Sequence, residues 1–212
     1  MNQHKEMYHT PYQDRSKSNC HNRNHPSNSE GPYTEQGPTI FRSNYLLDAR
    51  DNPVIALKEY HLVGIYEGRI TSMGVASSWG ANWLYTDDTT LIERGLKVKL
   101  SQYNFSSNYS IKLGEMTWIQ ISSPDYNPQY SYLGPNVTWG GVQLGARGGE
   151  YNNEEWYPQV HTRRPDTHYS SFGYKNAYTN KYLRNLGPDK WAEADGAIGN
   201  QDTEFVLIPV ES

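Results

Sequence analysis

The stretch Asn180–Pro209, NKYLRNLGPDKWAEADGAIGNQDTEFVLIP, carries the order of features that decides the fold. A Tyr-Leu pair is followed by a Gly-Pro turn, an Ala-x-Ala step, a polar loop and an apolar end. Short stretches in which apolar and polar residues alternate, separated by Gly, Pro, Asn and Asp, are typical of β-strands joined by tight turns. If this order recurs, the chain is built by repetition and the repeat determines the architecture.

The same order recurs twice upstream. The leucine of an aromatic-leucine pair serves as an anchor: Leu84 in NWLYTDD, Leu133 in YSYLGPN and Leu183 in NKYLRNL, spaced by 49 and 50 residues. Fourteen residues before the anchors, short alternating stretches open at Ile70, Ile119 and Tyr169. The near-equal spacing indicates three units of about 50 residues each.

Later features keep step with the anchors. Eleven residues after the second and third anchors lie Leu144 and Ala194, and Val98–Leu100 is the predicted equivalent in the first unit, displaced by an insertion of about five residues. Each unit then ends on an apolar cluster. These clusters are Ile111 with Leu113, Trp156 with Val160, and Phe205 with Val206 and Leu207.

Each unit is therefore predicted to form four short strands. The whole chain is predicted to have an all-β fold of twelve strands. This pattern resembles the β-trefoil superfamily over residues 65 to 210. Ricin-B-type lectins of that fold close each unit on Gln-x-Trp, and the nearest forms here are NNEEW and NQDTEF. The Tyr-Leu pair and the Ala/Val-x-Leu step look equally like fascin-type repeats. A β-sandwich is the alternative, because it also has short strands at regular spacing.

The chain divides near residue 40. Residues 1–39 contain only six apolar side chains, so we predict a flexible polar leader. Residues 40–212 are predicted to be the trefoil domain. The stretch NYLLDARDNPVIALKEY, with Leu46 at the anchor position, does not fit three units. Either it forms an extra hairpin over about 40–64, or the first unit starts earlier.

Composition excludes several classes of protein. The net charge is -4, which does not favour nucleic acid or an anionic membrane as a partner. One cysteine excludes an internal disulfide framework. The first thirty residues contain no apolar run and the chain no run of about 20, so we predict neither a signal peptide nor a transmembrane segment. The absence of a predicted signal peptide favours cytoplasmic accumulation or release by lysis.

The chain carries no signature of a common catalytic site. There is no G-x-S-x-G, no phosphate-binding Gly/Lys loop, no H-E-x-x-H and no EF-hand loop. We therefore predict a protein that is not an enzyme and has no cofactor. Cys20, His21 and His25 lie close together, but zinc needs four ligands on a stiff frame, so a polar tail is favoured over a metal site.

A binding site is predicted where the second strand of each unit turns into the third. Sugars present flat C–H faces and hydroxyls, so a lectin site needs an aromatic platform with amide or carboxylate groups on a rigid edge. Trp139, Trp191 and Trp83 are the predicted platforms. A tryptophan that only caps the barrel is the alternative. The predicted polar partners are Asn136, Asn185, Asp189, Asp195, Asn200, Gln201, Asp87 and Asp88.

The sequence thus favours a carbohydrate-binding, lectin-like protein whose partners are glycans or glycoconjugates. The Asn/Tyr/Ser-rich composition is similar to that of bacterial insecticidal or spore-associated crystal proteins, which implies a role alone or beside a partner toxin chain. A second hypothesis is a structural protein that self-associates through residues 1–39. A third is a disulfide-free trefoil protease inhibitor that uses the loop Pro124–Tyr130.

Overall fold

The structure is a computed structural model that describes residues 44–87, 92–103, 107–148, 153–161 and 170–211. These residues belong to one compact unit, and the predicted leader over residues 1–39 lies outside them. They form twelve strands. The strands are β1 Glu59–Tyr66, β2 Arg69–Ser78, β3 Ala81–Thr86, β4 Lys97–Ser101, β5 Thr117–Ile121, β6 Tyr132–Pro135, β7 Val142–Gly145, β8 Glu155–Val160, β9 Phe172–Asn176, β10 Tyr182–Arg184, β11 Glu193–Gly196 and β12 Phe205–Pro209. Three short 3-10 helices, Ile92–Arg94, Pro128–Tyr130 and Gln201–Thr203, lie in the connections.

Six strands close a barrel. Antiparallel pairing runs from β1 to β4, β5, β8, β9, β12 and back to β1. The other strands form the hairpins β2–β3, β6–β7 and β10–β11. These hairpins meet pairwise: Trp83 pairs with Gln143, Tyr85 bridges Trp191, and Gly141 bridges Glu193. Four strands in each of three units, with a closed barrel and a hairpin triplet, are a β-trefoil, so the fold prediction is confirmed over the sandwich alternative.

The core follows the period-2 alternation of the barrel strands. Inward positions alternate along each strand, and all belong to one buried cluster. Its members include Tyr60, Leu62, Val98, Leu100, Ile119, Ile121, Trp156, Phe172, Tyr174, Phe205 and Leu207. The anchors Leu84, Leu133 and Leu183 are fully buried in the same cluster. Burying a side chain of this size stabilises the fold by about 1.5–3 kcal/mol.

The first unit differs from its predicted register by one strand. Leu133 and Leu183 lie on second strands, β6 and β10, whereas Leu84 lies on the third strand, β3. Leu84 pairs with Val75 as Leu144 pairs with Leu133. The predicted first strand at Ile70 is therefore β2, and Val98–Leu100 is the fourth strand, β4.

The physical reason for this error is the burial of β1 on both faces. Its sequence, EYHLVGIY, is buried at six consecutive positions and so has no alternation to read. One face contributes Leu62 to the main core, while Val63 and Ile65 form a second cluster with Val206 of β12. The first unit therefore starts at Glu59, which is the earlier start considered above.

The stretch before β1 contains a short antiparallel pairing within the predicted hairpin range of about 40–64, where Leu47 bridges Pro53 and the N–H of Val54 donates to the carbonyl oxygen of Leu46. Two further bridges join the described residues before Glu59 to the stretch after β4, Tyr45 with Lys112 and Ile55 with Ser110. Leu46, Val54 and Ile111 are fully buried and join the main core. The cluster at Ile111 and Leu113 is thus an addition that packs on this stretch, and β4 ends the first unit.

Candidate functional site

The hairpin triplet gathers four of the six tryptophans of the chain. Trp79 lies in the β2–β3 turn, Trp83 on β3, Trp139 in the β6–β7 connection and Trp191 beside β11. The ring centroid of Trp79 is 6.3 Å from that of Trp83, 6.3 Å from that of Trp139 and 6.5 Å from that of Trp191. We call these four residues the tryptophan cluster. All three units contribute to it.

Trp79 is the centre of the cluster and was not among the predicted residues. It and Gly80 have positive φ angles of 49° and 76°, as in the two-residue hairpin turns that favour Asn-Gly. A bulky residue in this region is an outlier, and such strain is typical of functional positions. Its side chain is 77% exposed. The Trp-Gly pair between two alternating stretches, ITSMGVASS and ANWLYT, was the sequence signal for this turn.

Trp83 is the buried member of the tryptophan cluster. Its side chain is only 4% exposed, and its Nε1 donates a hydrogen bond of 2.8 Å to the carbonyl oxygen of Ser78. The backbone of Gly141 lies against the ring, because a Cβ there would be 2.9 Å from it. The structure thus places Trp83 in a capping role and leaves little of it for a ligand.

Trp139 is held at the surface by Asn136. The Asn136 Oδ1 accepts hydrogen bonds from the backbone N–H groups of Thr138 and Trp139, at 2.9 and 3.0 Å. Its Nδ2 donates to Oε1 of Gln143 at 3.0 Å. The ring of Trp139 is 72% exposed and stacks on Trp79 at an interplanar angle of 26°. Asn136 therefore acts by positioning the turn, and Trp139 offers an open aromatic face.

A polar strip continues from Trp191 along β11. Burial alternates from residue 191 to 196, so Trp191, Glu193 and Asp195 share the outward face while Ala192 and Ala194 are in the core. Arg184 of β10 binds Asp195 through two hydrogen bonds of 3.0 and 3.1 Å. Burial, and then the charge of Asp195, raise the pKa of the Glu193 carboxyl.

Arg184 also ties this strip to the last 3-10 helix. Its Nε donates to Oδ2 of Asp202 at 2.8 Å. Asn200 and Gln201, two of the predicted residues, are exposed beside Asp202. The backbone oxygen of Asn200 is 3.1 Å from Nε2 of His161. Asp195, Asn200 and Gln201 thus belong to one polar surface of the third unit.

Two predicted carboxylates, Asp87 and Asp189, act on Tyr85, which is a neighbour of the tryptophan cluster. The ring centroid of Tyr85 is 6.2 Å from that of Trp191. Burial raises the pKa of the Tyr85 hydroxyl, and the charges of Asp87 and Asp189 raise it further. Asp88, which was also predicted, lies outside the described residues. The third unit and the end of β3 therefore give the cluster an acidic border.

The prediction for Asn185 is wrong. This side chain is fully buried, and its amide is used within the fold. Its Oδ1 accepts from Oγ1 of Thr86 at 2.6 Å and from the N–H of Gly187 at 3.0 Å, and its Nδ2 donates to Oγ1 of Thr71 at 2.7 Å. Asn185 joins the third unit to the first and cannot reach a ligand.

No metal cluster occurs in the described part of the chain, where no group of three or more His, Cys, Asp and Glu could hold an ion. Cys20, His21 and His25 lie outside that part. The described residues also include no helix with the length and apolar character that a membrane span requires.

The loop proposed for protease inhibition is compact. Residues Pro128–Tyr130 form a 3-10 helix, and Oδ1 of Asn127 accepts from the N–H of Gln129 at 3.0 Å. The Gln120 side chain donates to the carbonyl oxygen of Pro128 at 3.1 Å. The loop Pro124–Tyr130 is therefore fastened to β5 through Gln120, while Asn127–Tyr130 remain exposed.

No protein-family model and no curated protein sequence matches this chain. Several solved structures are similar. Alocasin, a protease inhibitor from giant taro (Arum macrorrhizon), has a TM-score of 0.58 at 13% identity, over 79% of this chain and 100% of its own. The receptor-binding domain of botulinum neurotoxin D has a TM-score of 0.58 at 11% identity, over 79% of this chain and 44% of its own. Lysenin in complex with phosphocholine has 0.51 at 15%, over 76% and 48%.

These similarities show the fold alone, because every identity is low. The chain spans about half the length of lysenin, less than half the length of the botulinum domain and the whole length of alocasin. Structures with a similar fold thus include a protease inhibitor and a receptor-binding domain. Fold does not determine function here, so the function has to be argued from the site.

Proposed function

We propose that the protein is a lectin-like module that binds carbohydrate and carries out no catalysis. The observation that supports this most directly is the exposed tryptophan cluster at the hairpin triplet, which adjoins the polar outward face of β11. An aromatic platform packs against the C–H face of a sugar ring, while carboxylate and guanidinium groups bond its hydroxyls.

The dimensions of this site favour an oligosaccharide over a single sugar. Trp191, Glu193 and Asp195 lie two residues apart on one strand face, so the strip from the ring to Asp195 is about 13 Å long. Arg184 fixes the far end of the strip through Asp195 and Asp202. A ligand of two or three sugar rings would contact the tryptophan cluster at one end and these charged groups at the other.

Similar structures support the class of function by analogy only. The botulinum relative is a receptor-binding domain, and lysenin is described with bound phosphocholine. Both are domains that recognise something outside their own chain. By this analogy the protein would deliver or anchor a toxin, either alone or with a partner chain, and glycoconjugates would be its target.

A glycan array with the full chain tests the proposal. Binding to a defined oligosaccharide should weaken at least tenfold in Trp139→Ala and in Asp195→Asn, because each removes one end of the site. Tyr103→Ala is the matched control, since Tyr103 is 76% exposed and lies outside the three hairpins. The absence of any glycan ligand would overturn the proposal, and so would equal binding by all variants.

A further inference from the structure

Apart from Arg69, the first residue of β2, two of the three hairpins carry no charge. Residues 70–86, which hold the rest of the β2–β3 hairpin, contain no Asp, Glu, Lys or Arg, and neither do residues 126–146, which include β6–β7. Charged residues make up 20% of the whole chain, so runs of this length are unusual for it. The third hairpin differs, because it carries Arg184, Asp189, Lys190, Glu193 and Asp195.

The uncharged hairpins end in exposed apolar side chains. Trp79 is 77% exposed, Val137 is 52% exposed and Trp139 is 72% exposed, and all three lie in the turns that connect the strands. We call these residues the apolar ridge. The left-handed backbone at Trp79 keeps a large ring at the tip of the β2–β3 hairpin, where an Asn would be unstrained.

We propose that the apolar ridge rests in the interfacial region of a zwitterionic lipid surface. Tryptophan rings favour the water–lipid boundary, because an apolar body and a polar N–H suit both phases. A charge at that depth is unfavourable, and residues 70–86 and 126–146 beside the ridge have none. Thr138 lies between Val137 and Trp139 of the ridge, and its hydroxyl suits lipid headgroups.

A protein interface and an anionic lipid surface fit these observations less well than a zwitterionic lipid surface does. A stable protein interface buries about 800 Å² and 20–30 residues on each side, whereas the ridge offers three side chains at turn tips. Anionic lipid is attracted by clusters of Lys and Arg, which these hairpins lack, and Asp87 and Asp189 lie near the other side of the cluster. An uncharged, protruding aromatic ridge is therefore matched by a soft zwitterionic surface.

This inference goes beyond the proposed function and does not depend on it. The two surfaces share Trp79 and Trp139, but Val137 belongs to the ridge alone and the polar strip of β11 to the carbohydrate site alone. A sugar on a lipid headgroup would meet both surfaces, but the ridge should bind vesicles that contain no sugar.

Flotation of the full chain with large unilamellar phosphatidylcholine vesicles tests the inference. We expect the wild type to float with the vesicles and its tryptophan emission to shift to the blue. The double variant Trp79→Ala/Trp139→Ala should lower the partition coefficient about tenfold or more, and Val137→Glu should act in the same direction. Tyr103→Ala should bind as the wild type does.

Three results would overturn it: no flotation of the wild type, undiminished flotation of the double variant, or binding that requires phosphatidylserine. Thermal unfolding of each variant establishes that it is folded before it is compared. Soluble oligosaccharides on an array test the carbohydrate site separately. Because Trp79 and Trp139 serve both proposals, two other variants separate them: Val137→Glu should weaken vesicle binding alone, and Asp195→Asn should weaken glycan binding alone.

Discussion

Two buried tyrosines, on the barrel strands that flank β12, differ in how their hydroxyls are satisfied. Tyr174 on β9 is fully buried, and within the described residues its hydroxyl has no hydrogen-bond partner. Burial accordingly raises the pKa of Tyr174. Tyr60 on β1 is buried to the same degree, but its hydroxyl accepts a bond of 2.9 Å from the N–H of Ile55.

Removing each hydroxyl should therefore have opposite effects. Tyr174→Phe is expected to raise the free energy of unfolding by about 1 kcal/mol, because an unsatisfied buried polar group is lost. Tyr60→Phe is expected to lower it by about 1 kcal/mol, because the N–H of Ile55 loses its acceptor. Urea unfolding of the pair measures the difference. A loss of stability in Tyr174→Phe would show that its hydroxyl is bonded after all.

Asn185 shows the limit of reading a single residue from sequence. A turn asparagine near a tryptophan fits a sugar ligand, but nothing in the sequence reveals that this side chain points inward. Its amide packs so close to Gly64 that a Cβ there would meet Nδ2 at 2.2 Å. Only the contact between the first and third units, which are distant in sequence, determines this orientation.

Asn185→Ala should lower the free energy of unfolding by about 2–3 kcal/mol, because it leaves buried groups of Thr86 and Gly187 without their partner. Asn200→Ala, at an exposed position, is the control and should change it by less than about 0.5 kcal/mol. Thermal or urea unfolding gives both values. Equal effects from the two variants would contradict the structural role of Asn185.

At the scale of the elements, we expect one substitution in the β2–β3 turn to raise the stability of the fold and to weaken vesicle binding. Trp79→Asn replaces a strained residue by one that accepts positive φ and forms the favoured Asn-Gly turn. The melting temperature should rise, because about 1 kcal/mol of backbone strain is relieved and the lost ring is mostly exposed. Vesicle binding should fall at the same time. A lower melting temperature would mean that the ring contacts outweigh the strain.

The third hairpin should give part of the pH dependence of stability. The pKa of Glu193 is raised in the folded state by burial and by Asp195, so folding favours its protonated form. Its contribution to stability is therefore unfavourable at neutral pH and disappears as the pH falls through the raised pKa. Glu193→Gln should be more stable than the wild type at pH 7, and the difference should vanish in acid. A difference that grows in acid would reverse the sign of this argument.

At the scale of the whole molecule, the sequence predicted the architecture better than the site. The anchors Leu133 and Leu183 and the closing strands β8 and β12 were assigned correctly. Buried positions alternate along β8, and β12 is a short apolar run bounded by polar residues. The first unit was misplaced since β1 is buried on both faces. Trp139 and Trp191 were predicted, but Trp79, which joins them, was missed because the cluster exists only where three separate hairpins meet.

Closure of the barrel depends on the two ends of the trefoil domain. β12 pairs with β1 at five positions, from Tyr60 with Pro209 to Gly64 with Phe205, and β12 also pairs with β9. Phe205, Val206 and Leu207 are all buried, and they serve both clusters of the core. Because such contacts join residues far apart in sequence, folding should take milliseconds to seconds.

Truncation after Glu204 should therefore abolish cooperative unfolding, because the barrel loses a strand and β1 becomes an open edge. Truncation after Pro209 is the matched control. Of the contacts among the described residues, it removes the exposed pair of Arg50 with Glu211 and the bond from Val210 to Glu59, so the transition should remain cooperative. Circular dichroism during thermal unfolding distinguishes the two. A cooperative transition in the shorter chain would mean that the other eleven strands fold without closing the ring.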